Sequence, residues 1–323
     1  MRRKMSPNYD PNFPAGLDIR PLENLSSDAD ARFDSTAQED AIRTYGIAGR
    51  IWEASHAMLA YLNPSSSYVY EFDPAPFTGE LLLQHERHPI TAIELGSGTG
   101  FVAARIAAWL RPDLDLLLAT DLPEVCTLLE ANLRSCPAVT VWPLAWGSRE
   151  HACAVVRELG MPSSNGSARL PTHILCSDLV YFPELFAPLL RSLLHLTSPR
   201  PVDLPDARPP IIVISYKIRS LAKETPFWSA FGLWFEFTPV LVRRKRQTGG
   251  NPPPDSTAEW VRFTPGDGND ETFILVATRR PDSFSWTIPG EDYALLMGIG
   301  AYGTSTAKSD EQFEQLLLMG MDL

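Results

Sequence analysis

Ten residues constrain this chain more than any others. Thr91-Ala92-Ile93-Glu94-Leu95-Gly96-Ser97-Gly98-Thr99-Gly100 runs an apolar strand straight into a glycine turn, and a helical pattern from Phe101 to about Leu110 follows. At a strand-to-helix junction, glycines let the backbone turn tightly and leave bare main chain for a ligand to lie against. A second strand-like run, Leu116 to Thr120, ends at Asp121. A carboxylate there can accept hydrogen bonds from ribose hydroxyls. A tight turn in an ordinary α/β core would leave the same glycines, so it is Asp121 that adds a nucleoside to the reading.

Glu94 narrows the ligand. The spacing GxGxG departs from the dinucleotide fingerprint GxGxxG, and a carboxylate before the turn would repel a pyrophosphate. It suits a cationic ligand instead, which moves the expectation to S-adenosylmethionine, whose amino group and sulfonium are both positive. Glu94, Gly96, Ser97, Gly98 and Asp121 are the cofactor-binding candidates.

The rest of the chain supplies a frame for such a turn. Strand patterns at 91–95, 116–120, 139–142, 173–178 and 211–216 alternate with helical segments near 100–110, 123–135, 183–196 and 221–231. Alternation of this kind predicts a parallel sheet covered by helices on both faces. Two further β-type runs, Trp234 to Val242 and Glu271 to Arg279, have no helix between them. They form an antiparallel pair at one edge and bring the count to seven strands.

Upstream, residues 1–40 are rich in Pro, Asp, Asn and Ser and read as an irregular arm. Apolar residues at helical spacing follow, from Tyr45 to Leu62, ending at Asn63-Pro64. A second helix is expected over Gly79 to His88. Residues 41–282 are expected to form the catalytic-type domain, with 283–323 as a C-terminal extension of no assignable role. Segments 147–170, 198–210 and 243–270 read as insertions. The last of them opens on a basic run, Arg243-Arg244-Lys245-Arg246, which reads as a solvated strand end rather than a binding patch.

Composition excludes several classes. A formal charge of -11 argues against a nucleic-acid surface. Cys126, Cys136, Cys153 and Cys176 show no CxxC pairing, and no histidine spacing suggests a metal. His173 opens an apolar strand and reads as structural. No apolar run approaches the length of a membrane span. The expectation is an intracellular, cytoplasmic, monomeric chain that acts on neither nucleic acid nor membrane.

The motifs together resemble a known family. Gly49-Arg50-Ile51-Trp52-Glu53-Ala54, Glu94 to Gly100, Thr120-Asp121-Leu122, Trp146-Gly147, Ser177-Asp178-Leu179-Val180-Tyr181 and Tyr216-Lys217-Ile218-Arg219 occur in this order. In order and spacing the chain is similar to the seven-β-strand, class I protein-lysine methyltransferases over about residues 42–279. The Asp-x-x-Tyr tetrad Asp178 to Tyr181 is the most selective mark. The Tyr-Lys-x-Arg run most resembles the fungal branch acting on translation elongation factor 1A.

The resemblance implies a Rossmann-like fold and methyl transfer from S-adenosylmethionine to a neutral lysine amine of a protein. Lysine is mostly protonated at neutral pH, with a side-chain pKa near ~10.4. It also implies roles. Trp146 would lie along the adenine, Trp52 would reach the cofactor from the N-terminal helix, and Ser177 would touch it through its backbone. Asp178 and Tyr181 are the catalytic candidates, the first orienting the amine and the second walling its channel. Each also has an ordinary structural explanation, Asp178 as a helix N-cap and the aromatics as core. A carboxylate alone favours the charged amine, so Asp178 is no strong base. Lys217 and Arg219 would shape the entrance or simply end a strand. A chaperone or AAA ATPase lysine, a small amine, or cofactor binding without turnover are the alternatives.

Overall fold

The computed structural model describes residues 18–22, 30–78, 87–160, 169–198, 208–245, 259–265 and 272–319. Helices α1 (Ser35–Tyr45) and α2 (Glu53–Leu62) lead into strand β1 (Tyr70–Asp73). Then β2 (Thr91–Leu95), α3 (Phe101–Ala107), β3 (Leu116–Asp121), α4 (Cys126–Leu133), β4 (Val139–Pro143), α5 (Arg149–Gly160), β5 (His173–Ser177), α6 (Pro183–Leu196), β6 (Ile211–Lys217) and α7 (Leu221–Trp234) alternate. Strands β7 (Phe235–Pro239), β8 (Leu241–Arg244), β9 (Val261–Arg262) and β10 (Thr272–Arg279) follow, with short helices α8 (Asp292–Leu296) and α9 (Gln312–Met319) last.

Among the described residues, seven strands form one sheet in the order β4-β3-β2-β5-β6-β10-β7. The first five are parallel, and β10 lies antiparallel between β6 and β7. This is the expected mostly parallel sheet with an antiparallel edge. Every residue of β2 is buried, as both faces of a parallel sheet must be when helices cover them. One face carries Ile93, Leu118, Ile174 and Ile212 against α5, α6 and α7, and the other turns Ala92, Leu117, Leu175 and Val213 toward α2, α3 and α4.

Topology places the site. The chain runs outward from β2 to β3 to β4, then returns to lay β5 on the other side of β2. The crevice beyond the carboxyl ends of β2 and β5, where strand order reverses, is where open α/β sheets bind ligands.

Several expectations change in detail. The stretch read as an insertion at 147–170 holds α5, which carries the chain from the sheet edge at β4 back to β5. Its buried Ala152, Val155 and Leu159 keep helical spacing. The run 234–242 is not one strand. Pro239 ends β7, since it has no N–H for a further ladder bond. Val240 then passes the chain to β8, which pairs with β1 and β9 in a small antiparallel sheet. The 45–62 pattern breaks at Gly46, whose φ of 58 caps α1, and a 3-10 turn over Gly46–Gly49 precedes α2.

α1 itself begins at Ser35, inside the stretch read as an arm, and Phe33 packs edge-on against Phe101 at 5.3 Å. The helix expected over 79–88 falls outside the described residues except for Arg87 and His88, which are not helical. The parts 161–168, 199–207, 246–258 and 266–270 of the three insertions are likewise outside them. No described helix is long and apolar enough to cross a membrane.

Candidate active site

The cofactor-binding and catalytic candidates read from the sequence come together in one place. Trp52, Glu94, Gly96, Ser97, Gly98, Asp121, Trp146, Ser177, Asp178 and Tyr181 all line a single cavity of about 1600 Å³. It lies at the strand-order switch, with the glycine turn after β2 on one wall and the Asp178 tetrad after β5 on the other.

The glycine turn is held by the end of β3. Ser97 N–H donates to the Thr120 carbonyl at 3.0 Å and Thr120 N–H donates to Ser97 Oγ at 3.1 Å. Asp121 accepts from Gly98 N–H at 2.8 Å and from Leu122 N–H at 2.7 Å. Glycine is required here by protein neighbours as well as by any ligand. At Gly96 (φ +59) a Cβ would lie 2.9 Å from both Leu179 Cδ2 and Trp146 Cζ2. At Gly98 (φ +55) it would lie 2.8 Å from the carbonyl oxygen of Ala48, in the 3-10 turn. That turn was not foreseen as part of the site, although Gly46-Ile47-Ala48-Gly49 is a visible signal in the sequence.

Two carboxyls at the turn are unusual. Burial pushes Glu94 up to about 8, with the nearby Asp121 charge acting in the same direction. Burial also pushes Asp121 up to about 6, against its two backbone hydrogen bonds. Glu94 is 2% exposed, and its Oε2 has no hydrogen-bond partner among the described residues. A buried acceptor without a partner is costly. A cationic or amine-bearing ligand in the cavity would satisfy it, so the residues fit a sulfonium-bearing amino-acid nucleoside.

The tetrad brings a finding that sequence reasoning missed. Asp178 has a left-handed backbone (φ 62), and its N–H donates to the Ser215 carbonyl at 2.8 Å. Its side chain is fully buried and bound on both oxygens by Arg219, from Nη1 at 2.6 Å and Nη2 at 2.5 Å. It is a paired carboxylate rather than the helix N-cap that the sequence also allowed, because Phe182 occupies the cap of α6.

Glu224, 1% exposed, sets the aim of Arg219. It accepts from the Tyr216 hydroxyl, from Ser220 N–H at 3.0 Å and from Arg219 N–H at 3.3 Å, which folds the turn after β6. Tyr216, Arg219 and Glu224 thus form a unit. Arg219 borders the cavity, so the solvated strand end is not its whole role.

Aromatic side chains close the walls. Trp146 and Tyr181 meet edge-on at 6.5 Å between ring centres, and Tyr181 packs on Phe182 at 4.7 Å. Trp52 donates from its indole to the Ile47 carbonyl at 3.1 Å. The guanidiniums of Arg50 and Arg219 lie 4.2 and 5.3 Å from its ring centre. Arg50 with Lys217 also holds Glu53 down to about 2, against its burial. Ser177 Oγ accepts from Ser215 Oγ at 3.2 Å. His173 stands apart, its ring 4.3 Å from Phe77 and burial pushing it down to about 4, as a structural residue would be. No group of three or more metal-binding side chains is found among the described residues.

Residues 33–231 match the sequence profile of the lysine methyltransferase family, more than half of the chain, and the protein belongs to that family. Its cofactor is accordingly S-adenosylmethionine. Solved structures similar to it include the CurJ carbon methyltransferase (13% identity, 59% of this chain and 48% of that one, TM-score 0.34). Others are a putative O-methyltransferase from Klebsiella pneumoniae (14%, 76% and 89%, 0.36) and cofactor-bound Rv0187 from MTB (13%, 75% and 86%, 0.38). No curated protein matches the chain.

Proposed function

We propose that this protein N-methylates a lysine side chain of another protein, with translation elongation factor 1A as the preferred target. One observation carries the reading: a single cavity of about 1600 Å³ joins the glycine turn to the Asp178–Tyr181 tetrad. S-adenosylmethionine, when bound, supplies a methyl carbon made electrophilic by its sulfonium. Everything else in the reading is work for the chain's own residues. Glu94 meets the positive amino-acid end, Asp121 receives the ribose, and Trp146 and Trp52 offer flat apolar walls.

Asp178 and Tyr181 receive the amine. A lone carboxylate would hold a lysine in its charged, unreactive form. Arg219 offsets that charge, and since it covers both oxygens of a fully buried Asp178 while being itself partly exposed, it shifts aside for the carboxylate to accept from the amine. The pair therefore orients without strongly favouring the ammonium, which resolves the difficulty a free Asp178 poses. Asp178 is the catalytic residue in this reading and Arg219 a positioning residue. Orientation of the nucleophile supplies most of the acceleration. Support for elongation factor 1A comes from the resemblance of Tyr216-Lys217-Ile218-Arg219 to that branch.

The test incubates the purified protein and methyl-labelled cofactor with extract from a strain lacking it. Label in a lysine of a band of elongation-factor size is the expected result. A labelled protein of another size replaces the target, as a chaperone or ATPase lysine would require. Label confined to small molecules overturns the protein substrate. Cofactor binding with no label anywhere overturns the enzyme in favour of a binding protein.

A further inference from the structure

Gly290, Glu291, Asp292 and Tyr293 line the same cavity as the glycine turn, yet they lie beyond the family match, which ends at residue 231. One side chain fixes them there. Arg191 of α6 donates to the carbonyls of Pro289 at 3.3 Å and Gly290 at 3.1 Å, and to the Asp292 carboxylate at 2.8 Å. The same turn of α6 holds the Trp146 loop. Gly147 N–H donates to Ser192 Oγ at 2.8 Å, and a Cβ on Gly147 would meet Pro188 at 3.2 Å and Arg191 Nη1 at 3.7 Å. Two loops anchored on residues 188–192, about one helical turn, are neighbours. The extension therefore borders the cavity at its Trp146 end.

With the amine at the tetrad and the ribose at Asp121, as in the proposed function, sheet order indicates which part of the ligand lies there. The tetrad that receives the amine follows β5, and the ribose carboxylate Asp121 ends β3, two strands away across β2. A nucleoside held this way would carry its base onward toward β4, whose following residues Leu144, Ala145 and Trp146 line the cavity. Tyr293 is 74% exposed beside this end. Among the described residues nothing covers this large ring, whereas a flat π ligand beside it would.

We propose that the C-terminal extension is part of the cofactor site, with Gly290–Tyr293 as the outer wall of its nucleoside end and Tyr293 as the ring that covers the purine. The proposal rests on S-adenosylmethionine as cofactor and is independent of which protein is methylated. Calorimetry on the full chain, with S-adenosylmethionine and separately with adenosine, tests it. Tyr293→Ala raises both dissociation constants about three- to ten-fold, the range of an aromatic contact. Arg191→Gln, which detaches the wall, does the same. Tyr302→Ala, in another exposed tyrosine of the extension that does not line the cavity, leaves both unchanged.

Wild-type affinity for both ligands in Tyr293→Ala overturns the proposal, and this exposed position carries the test even where Arg191→Gln folds poorly. Unchanged nucleoside binding with a raised KM for the labelled protein also overturns it and assigns the wall to the protein substrate. A wild-type chain that takes up no S-adenosylmethionine instead strikes the cofactor reading beneath it.

Discussion

In the proposed function, the Arg219 guanidinium paired with Asp178 sets how that carboxylate meets the amine. Exchanging Arg219 for Ala leaves a buried carboxylate alone beside the incoming amine, which favours the ammonium. The alkaline-rising limb of the pH–rate profile should therefore move to higher pH, and Arg219→Lys should restore only part of the shift because it lacks the two-pronged donor. Arg219→Ala should also cost on the order of 2 kcal/mol in urea unfolding, less than a fully buried pair, since Arg219 is 31% exposed. An unmoved profile in Arg219→Ala would remove it from the mechanism. Glu94 gives a second pH test. Its folded-state pKa of about 8 lies above the ordinary carboxylate value of 4.5. Its contribution to stability is thus full below about 4.5 and is lost as pH rises through 8, and Asp121 adds a smaller fall between 3.8 and about 6. A positive ligand draws the proton off Glu94, so cofactor affinity should increase from pH 6 to 8 with proton release on binding. Calorimetry in buffers of differing ionisation enthalpy measures this, and Glu94→Gln should abolish it. The types of these residues were legible in the sequence. Their pairing was not, because Arg219 reaches Asp178 across 41 positions of chain and no local pattern encodes that contact.

At the level of elements, the glycine turn is where local and tertiary demands coincide. Gly98 has a positive φ, and its Cβ position faces a backbone carbonyl, which cannot rotate away as a side chain can. Gly98→Ala should therefore destabilise more than Gly96→Ala, whose obstacles are Leu179 and Trp146 side chains. A left-handed non-glycine residue costs roughly 1–2 kcal/mol by itself, and the Ala48 contact adds to it. Thermal unfolding of the two variants compares them, and equal losses would mean that the 3-10 turn yields. Strand–helix alternation was readable because period-two and 3.6-period patterns differ over short windows. The exceptions are instructive. α5 was obscured by the Ser/Gly/Asn-rich stretch after it, although Ala152, Val155 and Leu159 kept their spacing. The division of 234–242 between two sheets depends on which neighbour each half finds, and β propensity carries no such information.

For the whole molecule, the extension is structural as well as a border of the site. Phe313 is 1% exposed and stacks on Trp228 at 4.6 Å with an interplanar angle of 12°. Arg279, pushed down to about 10 by burial, ties the Leu194 carbonyl of α6 and Thr197, which caps that helix, to Ser283 at the start of the extension. Phe313→Ala should cost about 3–5 kcal/mol, as large aromatic-to-alanine changes in cores do, and a chain ending at 282 should unfold at lower urea than the full chain. A truncated chain as stable as the whole would show the extension to be an appendage. Periodicity and local backbone chemistry were enough to read the alternation of the five parallel strands with most of their helices, the glycine turn and the kinds of side chain that suit a positive nucleoside ligand. Contacts in space settled the rest: a guanidinium neutralises the tetrad carboxylate, a distant carbonyl fixes Gly98, and Gly290–Tyr293 reach back to the cavity. Each of these joins segments far apart in the chain, where charge and packing are set by distance in space.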